Sequence, residues 1–327
     1  MRLGFILTAR CNAACTHCSK SFGPTRTEEL SQDHIFRLMN EAAAIEDQEP
    51  LCFDITGGEA FLNFEMLVAV VAHGATLGAE AISCVTNAFW ARTDEIATGK
   101  LTRLKKAGLT LLGVSVSRFH QQFVPLHRAQ RALKIAGDLG ISTELKAAVT
   151  RSDLEPRGLV SQWKGQLEAE WINMFPVLPH LRREVELPEA EYCREPGLPL
   201  HKCPAEEVAV DFNGIARSCC SLGEEDTFLI VGDANRQPLK AIYDTFQNAG
   251  KQTILRDAGP VAFAQGAIVA GLGHRLRNAY AGPCDLCIHI RTDPQLRRVA
   301  EEMAAVVVQG TQSSNKPTTA GNFTTIA

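Results

Sequence analysis

The sequence predicts an α/β protein: a partial (β/α)6 TIM-like barrel over residues 1–180, followed by a smaller α+β region with a β-hairpin. Two observations carry this. Short apolar runs alternate six times with segments of helical period before residue 180. Past Pro179 the alternation stops, and charged, proline-containing sequence leads into a single hairpin pattern. Six strand–helix repeats imply a parallel sheet with right-handed crossovers. The count fits a six-stranded partial barrel, and an open doubly wound sheet is the alternative that pattern leaves open.

The strand segments are 3–8, 51–56, 81–86, 110–116, 142–149 and 171–177, each compactly apolar or rich in β-branched or aromatic residues. Ser31 is placed to cap a helix over 32–45, with Ile35, Leu38, Met39 and Ala42 on one face. Helices over 64–77 and 93–107 follow, the second opened by Thr93 and closed by Gly108. Residues 125–139 begin on proline and end at Gly140, as a helix does. A weaker helical segment covers 153–167. Residues 181–202, with Pro188, Pro196 and Pro199, read as a linker. Residues 208–218 read as a hairpin whose Asn213-Gly214 supplies the positive φ angles of a type I′ turn. Helices are expected over 239–249 and 293–309, 259–273 carries no assignment, and the Thr/Ser/Asn/Gly-rich tail 310–327 reads as disordered.

Composition narrows the function. Hydrophobic residues make up 45% and charged residues 21%, which excludes a wholly disordered or fibrous chain. Lys+Arg total 33 against 37 Asp+Glu, so the net charge of -4 speaks against a protein devoted to nucleic acid. No apolar run reaches the roughly 20 residues of a membrane span, and the apolar start is too short for a signal sequence. The expectation is a cytoplasmic protein without nucleic-acid or membrane partners. Eleven cysteines in so long a chain read as metal ligands or reactive thiols rather than disulfide staples.

Cys11, Cys15 and Cys18 form C-x3-C-x2-C just after the first strand. Three thiolates on one loop can hold three corners of a metal cluster and leave one metal position open, as a catalytic centre requires. A structural zinc completed by His17 is the competing reading. In a parallel barrel ligands gather at the carboxyl ends of the strands, and the informative residues lie there.

These residues resemble a family. Cys11-Asn12-Ala13-Ala14-Cys15-Thr16-His17-Cys18 looks like the signature of the radical S-adenosylmethionine (SAM) superfamily. Thr56-Gly57-Gly58-Glu59 resembles its Gly-Gly-Glu segment, and Thr86-Asn87 and Ser115-Val116-Ser117 fall at the next two strand ends. The resemblance implies a [4Fe–4S] cluster on Cys11, Cys15 and Cys18. It implies SAM held by His17, Gly57, Gly58, Glu59, Asn87, Ser115 and Ser117, with glycine needed where the chain passes close to the ligand. His17 stands at a commonly aromatic position beside the adenine, and Ser117 where many relatives carry Asp. Glu144 and Lys146 share one face of strand five, so Lys146 either meets the SAM carboxylate or pairs with Glu144. His120 lies in a stretch resembling S-x-D-x-(F/Y)-H of peptide-modifying members, which makes it a candidate for lining the site.

Cys203, Cys219 and Cys284-Asp285-Leu286-Cys287 resemble a SPASM/twitch extension, here residues 203–292, which implies an auxiliary [4Fe–4S] cluster; a zinc site would use the same ligands. Cys220 is the alternative to Cys219. Cys52 and Cys84 read as buried small hydrophobes. Cys220 and Cys193 are the spare thiols for donating hydrogen to a substrate radical. The resemblance to peptide-modifying members (RiPP maturases) implies hydrogen abstraction by a 5′-deoxyadenosyl radical from a short ribosomally made precursor peptide. The outcome would be epimerisation or a thioether or carbon–carbon crosslink, with an electron donor such as flavodoxin or ferredoxin. A dehydrogenase acting on a small carbinol and a structural metal-binding module are the alternatives.

Overall fold

The computed structural model describes residues 1–45, 49–163, 165–179, 187–203, 207–219 and 226–314. Its centre is six parallel strands: β1 (Arg2–Ile6), β2 (Cys52–Thr56), β3 (Ala81–Thr86), β4 (Leu111–Ser115), β5 (Ser142–Val149) and β6 (Trp171–Pro176). Helices join them in turn: α1 (Gln32–Ala43), α2 (Phe64–Thr76), α3 (Asp94–Ala107), the short α4 (Arg118–Gln121) with α5 (Leu126–Asp138), and α6 (Leu159–Trp163). Strand order runs β1 to β6 without reversal. Crossovers of one hand then lay the helices on one face of the sheet, whereas a doubly wound sheet reverses its order to cover both. This decides for the open, TIM-like partial barrel.

Local sequence explains the helix limits. The Ser31 hydroxyl accepts from His34 N and that of Thr93 from Ile96 N. Gly108 closes α3 at φ +115, in the left-handed region. The expected helix over 153–167 breaks into a 3-10 turn at Ser152–Leu154 and α6. Pro156 forces Glu155 into extended backbone (ψ 158), which ends the first piece.

The second half is built onto the same sheet. Strand β7 (Glu195–Pro196) forms a two-stranded ribbon with β11 (Ala279–Tyr280), so part of the expected linker is ordered. Strand β8 (Val208–Val210) pairs in parallel with β1, Leu3 opposite Val208, and β9 (Ile215–Arg217) and β10 (Ile230–Asp233) follow antiparallel. The nine-stranded order is β10-β9-β8-β1-β2-β3-β4-β5-β6. The hairpin turn is not type I′. Only Gly214 (φ +77) is left-handed in it. The Asp211 carboxylate accepts from Asn213 N at 2.9 Å and Ile215 N at 3.0 Å, which holds a wider turn.

Among the described residues five more helices follow: α7 (Leu239–Asn248), α8 (Gly250–Asp257), α9 (Val261–Val269), α10 (Pro283–Thr292) and α11 (Pro294–Ser314). Helices α8 to α11 share a second core that includes Leu255, Phe263, Leu286, Ile290 and Leu296. The unassigned stretch 259–273 is thus mostly helix α9. Cys284 and Cys287 sit in the first turns of α10, just before the last helix, and α11 continues past residue 309 to Ser314. Residues 315–327 and Cys220 lie outside the described residues. Among the described residues no helix is long and apolar enough to cross a membrane.

Candidate active site

The loop after β1 is pinned by backbone pairing with its own return. Ala9 N donates to Glu28 O at 2.9 Å, Cys11 N to Gly23 O at 3.1 Å and Leu30 N to Leu7 O at 2.8 Å. Cys11 and Cys15 are buried on this loop and Cys18 is half-buried. The end of β2 lies directly on it: Gly58 N donates to Thr8 O at 2.7 Å and Glu59 N to Arg10 O at 3.0 Å. A Cβ on Gly58 would stand 2.2 Å from Arg10 O. The glycine is therefore required by the cysteine loop's own backbone, and not only by the close approach to a ligand that the resemblance implies.

Glu59 is 1% exposed and spent on the scaffold. Its carboxylate accepts from Thr86 Oγ1 at 2.6 Å, Asn87 N at 2.8 Å and Phe61 N at 3.2 Å, tying the ends of β2 and β3 together. Burial pushes its carboxyl up to about 7 against those hydrogen bonds. The Asn87 amide donates to Asn12 Oδ1 at 2.9 Å. At the end of β4, buried Ser117 caps α4, and its hydroxyl lies 2.7 Å from His120 Nδ1. His17 stacks on Phe119 (centroids 4.7 Å apart) and meets the His120 ring edge-on at 4.9 Å. Burial lowers His17 to about 3, with the neighbouring His120 adding to the shift, and lowers His120 to about 4. Both rings are neutral at pH 7.

These strand ends enclose a cavity of about 650 Å³. Cys11, Cys15 and Cys18 line it, as do His17, Gly57 and Gly58, and so do Asn87, Ser115 and His120. Glu59, Ser117, Lys146 and Cys193 are not on its wall. Lys146 Nζ pairs with Glu144 at 2.9 Å, the second of the two arrangements the sequence left open. Cys193 Sγ lies 4.0 Å from Val149 O, away from the cavity. Cys52 and Cys84 are buried in β2 and β3. Asn173 and Phe175 at the end of β6 also line the cavity. The sequence reading missed them, although a lone amide within the apolar run 171–177 was a usable signal.

Cys203, Cys219, Cys284 and Cys287 converge on a second, small cavity of about 30 Å³, walled by leucine, isoleucine and proline and by Arg291. The apolar wall pushes the Cys284 thiol up to about 11 and raises that of Cys287 further. Arg291 is held by Asp226 at 2.8 Å. Cys284 also lines the large cavity, so the two cysteine sets meet there. Among the described residues no three His, Cys, Asp or Glu side chains are grouped tightly enough for one metal ion. A single zinc draws its ligands to about 2.0–2.3 Å from one centre; a cluster of several irons holds its thiolates farther apart. Three thiols around open space and four around an apolar cavity fit such clusters in donor chemistry.

The fold thus sets a three-thiol loop after the first strand of a parallel barrel against a glycine turn after the second. Residues 5–145 match the Radical SAM superfamily, so the chain carries a radical SAM domain, and that family implies SAM and a [4Fe–4S] cluster. The chain is 23% identical over 260 residues to the "Putative peptide biosynthesis protein YydG" of Bacillus subtilis (strain 168), covering 77% of this chain and 79% of that one. Its fold is similar to that of anSMEcpe with bound AdoMet (12% identity, 96% of this chain and 100% of that one, TM-score 0.59). The form of anSMEcpe that also binds the Cp18Cys peptide matches at 12% identity over 97% of this chain and 100% of that one (TM-score 0.57). BtrN in complex with AdoMet and 2-DOIA matches at 13% identity over 80% of this chain and 89% of that one, with a TM-score of 0.50.

Proposed function

We propose that this chain is a radical SAM enzyme that modifies a short ribosomally made precursor peptide, by epimerisation or by a thioether or carbon–carbon crosslink. The observation that carries the reading is the single cavity whose wall bears Cys11, Cys15 and Cys18 together with Cys284 of the second set. A substrate in it would lie between two cluster sites. The relative described as a peptide biosynthesis protein and the neighbour with a bound peptide support a peptide as that substrate.

When bound, SAM and the reduced cluster supply a 5′-deoxyadenosyl radical able to take hydrogen from an unactivated C–H bond. The chain's residues position and enclose. His17 stacked on Phe119 offers a flat face for the adenine. Asn87 and Ser115 offer an amide and a hydroxyl to the polar groups of SAM. His17 and His120, neutral through burial, place no cation beside the sulfonium. Cys203, Cys219, Cys284 and Cys287 hold the auxiliary cluster of a SPASM/twitch extension, Cys220 is the spare thiol, and a flavodoxin or ferredoxin supplies electrons.

Iron analysis and product analysis test this. The protein purified without oxygen should hold about eight irons per chain. Changing Cys11, Cys15 and Cys18 together to Ala should leave about four and abolish 5′-deoxyadenosine formation; continued formation overturns the site assignment. Coexpression with the short reading frames beside its gene tests the substrate. A peptide unchanged in mass in ordinary water but about one dalton heavier from deuterated water marks epimerisation, loss of two hydrogens marks a crosslink, and no modified peptide sinks the peptide reading.

A further inference from the structure

A third cavity, of about 520 Å³, is lined by Arg151, Arg194 and Arg277 and takes no part in the chemistry above. Arg194 precedes β7 and Arg277 precedes β11, so the two-stranded ribbon carries both. Each guanidinium lies over an aromatic ring, Arg194 over Tyr192 at 5.2 Å and Arg277 over Tyr280 at 4.7 Å. Arg194 bonds the exposed Glu189 at 2.9 Å, and Arg277 bonds the buried Asp285 at 2.6 Å. Arg194 Nε is buried without a hydrogen bond, with Asp285 Oδ2 4.0 Å away. Arg151 reaches only the carbonyls of Tyr192 (3.5 Å) and Arg194 (3.2 Å), and among the described residues it has no carboxylate partner. Three permanently charged guanidinium groups against two carboxylates leave the cavity net positive. Planar guanidinium forks match a carboxylate in charge and shape.

Position adds a purpose. Ala279 lines this cavity, and two residues on, Ala281 and Gly282 line the catalytic one. At ~3.3 Å per extended residue the two walls stand a short step apart along the chain, so a short extended peptide laid beside this stretch reaches both. We propose that the arginine cavity binds a carboxylate of the substrate peptide, a side chain or the C terminus, and so sets which residue lies over the catalytic cavity. The inference rests on the peptide reading above.

The test titrates the iron-loaded full chain with short fluorescein-labelled peptides of Ala, Gly, Val and Ser, followed by anisotropy. One carries a single Asp and an amidated end, one the matching Asn, and one the Asn with a free C-terminal carboxylate. A charged peptide should bind about tenfold tighter than its neutral twin, and which one gains identifies the source of the carboxylate. Arg151→Gln, which strands no carboxylate, should bring the ratio near one, and Arg151→Lys should restore part of it. Equal binding of all three peptides, or a ratio unmoved by Arg151→Gln, overturns the proposal. Glutarate, followed by saturation-transfer NMR, separates the two failures. A glutarate signal lost in Arg151→Gln, with no peptide bound, keeps the carboxylate site and sinks the peptide reading; no glutarate signal in the wild type sinks the site.

Discussion

Replacing Gly58 by alanine tests why a glycine stands there. The added Cβ would lie 2.2 Å from Arg10 O and 2.5 Å from Arg10 C, about 1.2 Å short of the 3.4 Å at which ordinary contact begins. Both groups are backbone, so no side chain can swing aside. Relief must separate the end of β2 from the cysteine loop, across the Gly58 N–Thr8 O and Glu59 N–Arg10 O hydrogen bonds. Overpacking of this kind costs about 1–3 kcal/mol and each weakened hydrogen bond about 1. A total of about 3 kcal/mol lowers Tm by about 4–5 °C in a protein of this size. Arg10 directly precedes Cys11, so the displacement also reaches the first thiol. Gly58→Ala should therefore melt early and retain less of the iron that the N-terminal cysteines hold, read by scanning calorimetry and iron analysis. A variant that melts within about 2 °C of the wild type with full iron, and loses only SAM affinity, would refute the backbone argument.

Other expectations follow from the same residues. Glu59, at about 7 in the fold against 4.5 ordinarily, keeps its proton while the unfolded chain releases it, so stability falls as pH rises from 4.5 to 7 by up to ~3 kcal/mol. Urea unfolding at several pH values should show this slope, and Glu59→Gln should flatten it; identical slopes would count against the buried carboxyl. Cys84, fully buried in β3, should tolerate Ala at a cost of about 1 kcal/mol with iron unchanged, and iron loss would make it a ligand. In deuterated water, Cys220→Ala should keep its iron and 5′-deoxyadenosine formation but lose solvent deuterium from an epimerised product. Loss of about four irons would make Cys220 the ligand in place of Cys219.

Strand limits were legible where a turn residue borders an apolar run, as Asn87 does after Ala81–Thr86 and Gly140 does before Ser142–Val149. The three-cysteine loop and the glycine turn were legible because each follows a strand directly. What side chains do with one another was not. No spacing rule says that the Glu59 carboxylate is consumed by Thr86 and Asn87, or that Ser117 is taken up by His120. Helix α9 was opaque because its residues are nearly all small or apolar, so no polar face marks a period. The hairpin's place beside β1 was beyond local reading for another reason: it pairs residues some two hundred positions apart.

That pairing has a bearing on how the protein is made. Strand β1 receives its inner partner once β2 is synthesised, but its outer edge waits for Val208 to Val210. Until then the ribosome presents a barrel with the edge nearest the cysteine loop unpaired, open to pairing with another chain. Cys203, the first of the second cysteine set, emerges five residues ahead of the strand that closes this edge. Closure of this edge thus coincides in synthesis with the first thiol of the second set, whereas Cys284 and Cys287 arrive only with α10, and a nascent chain halted between residues 180 and 203 has neither the closed edge nor any thiol of that set.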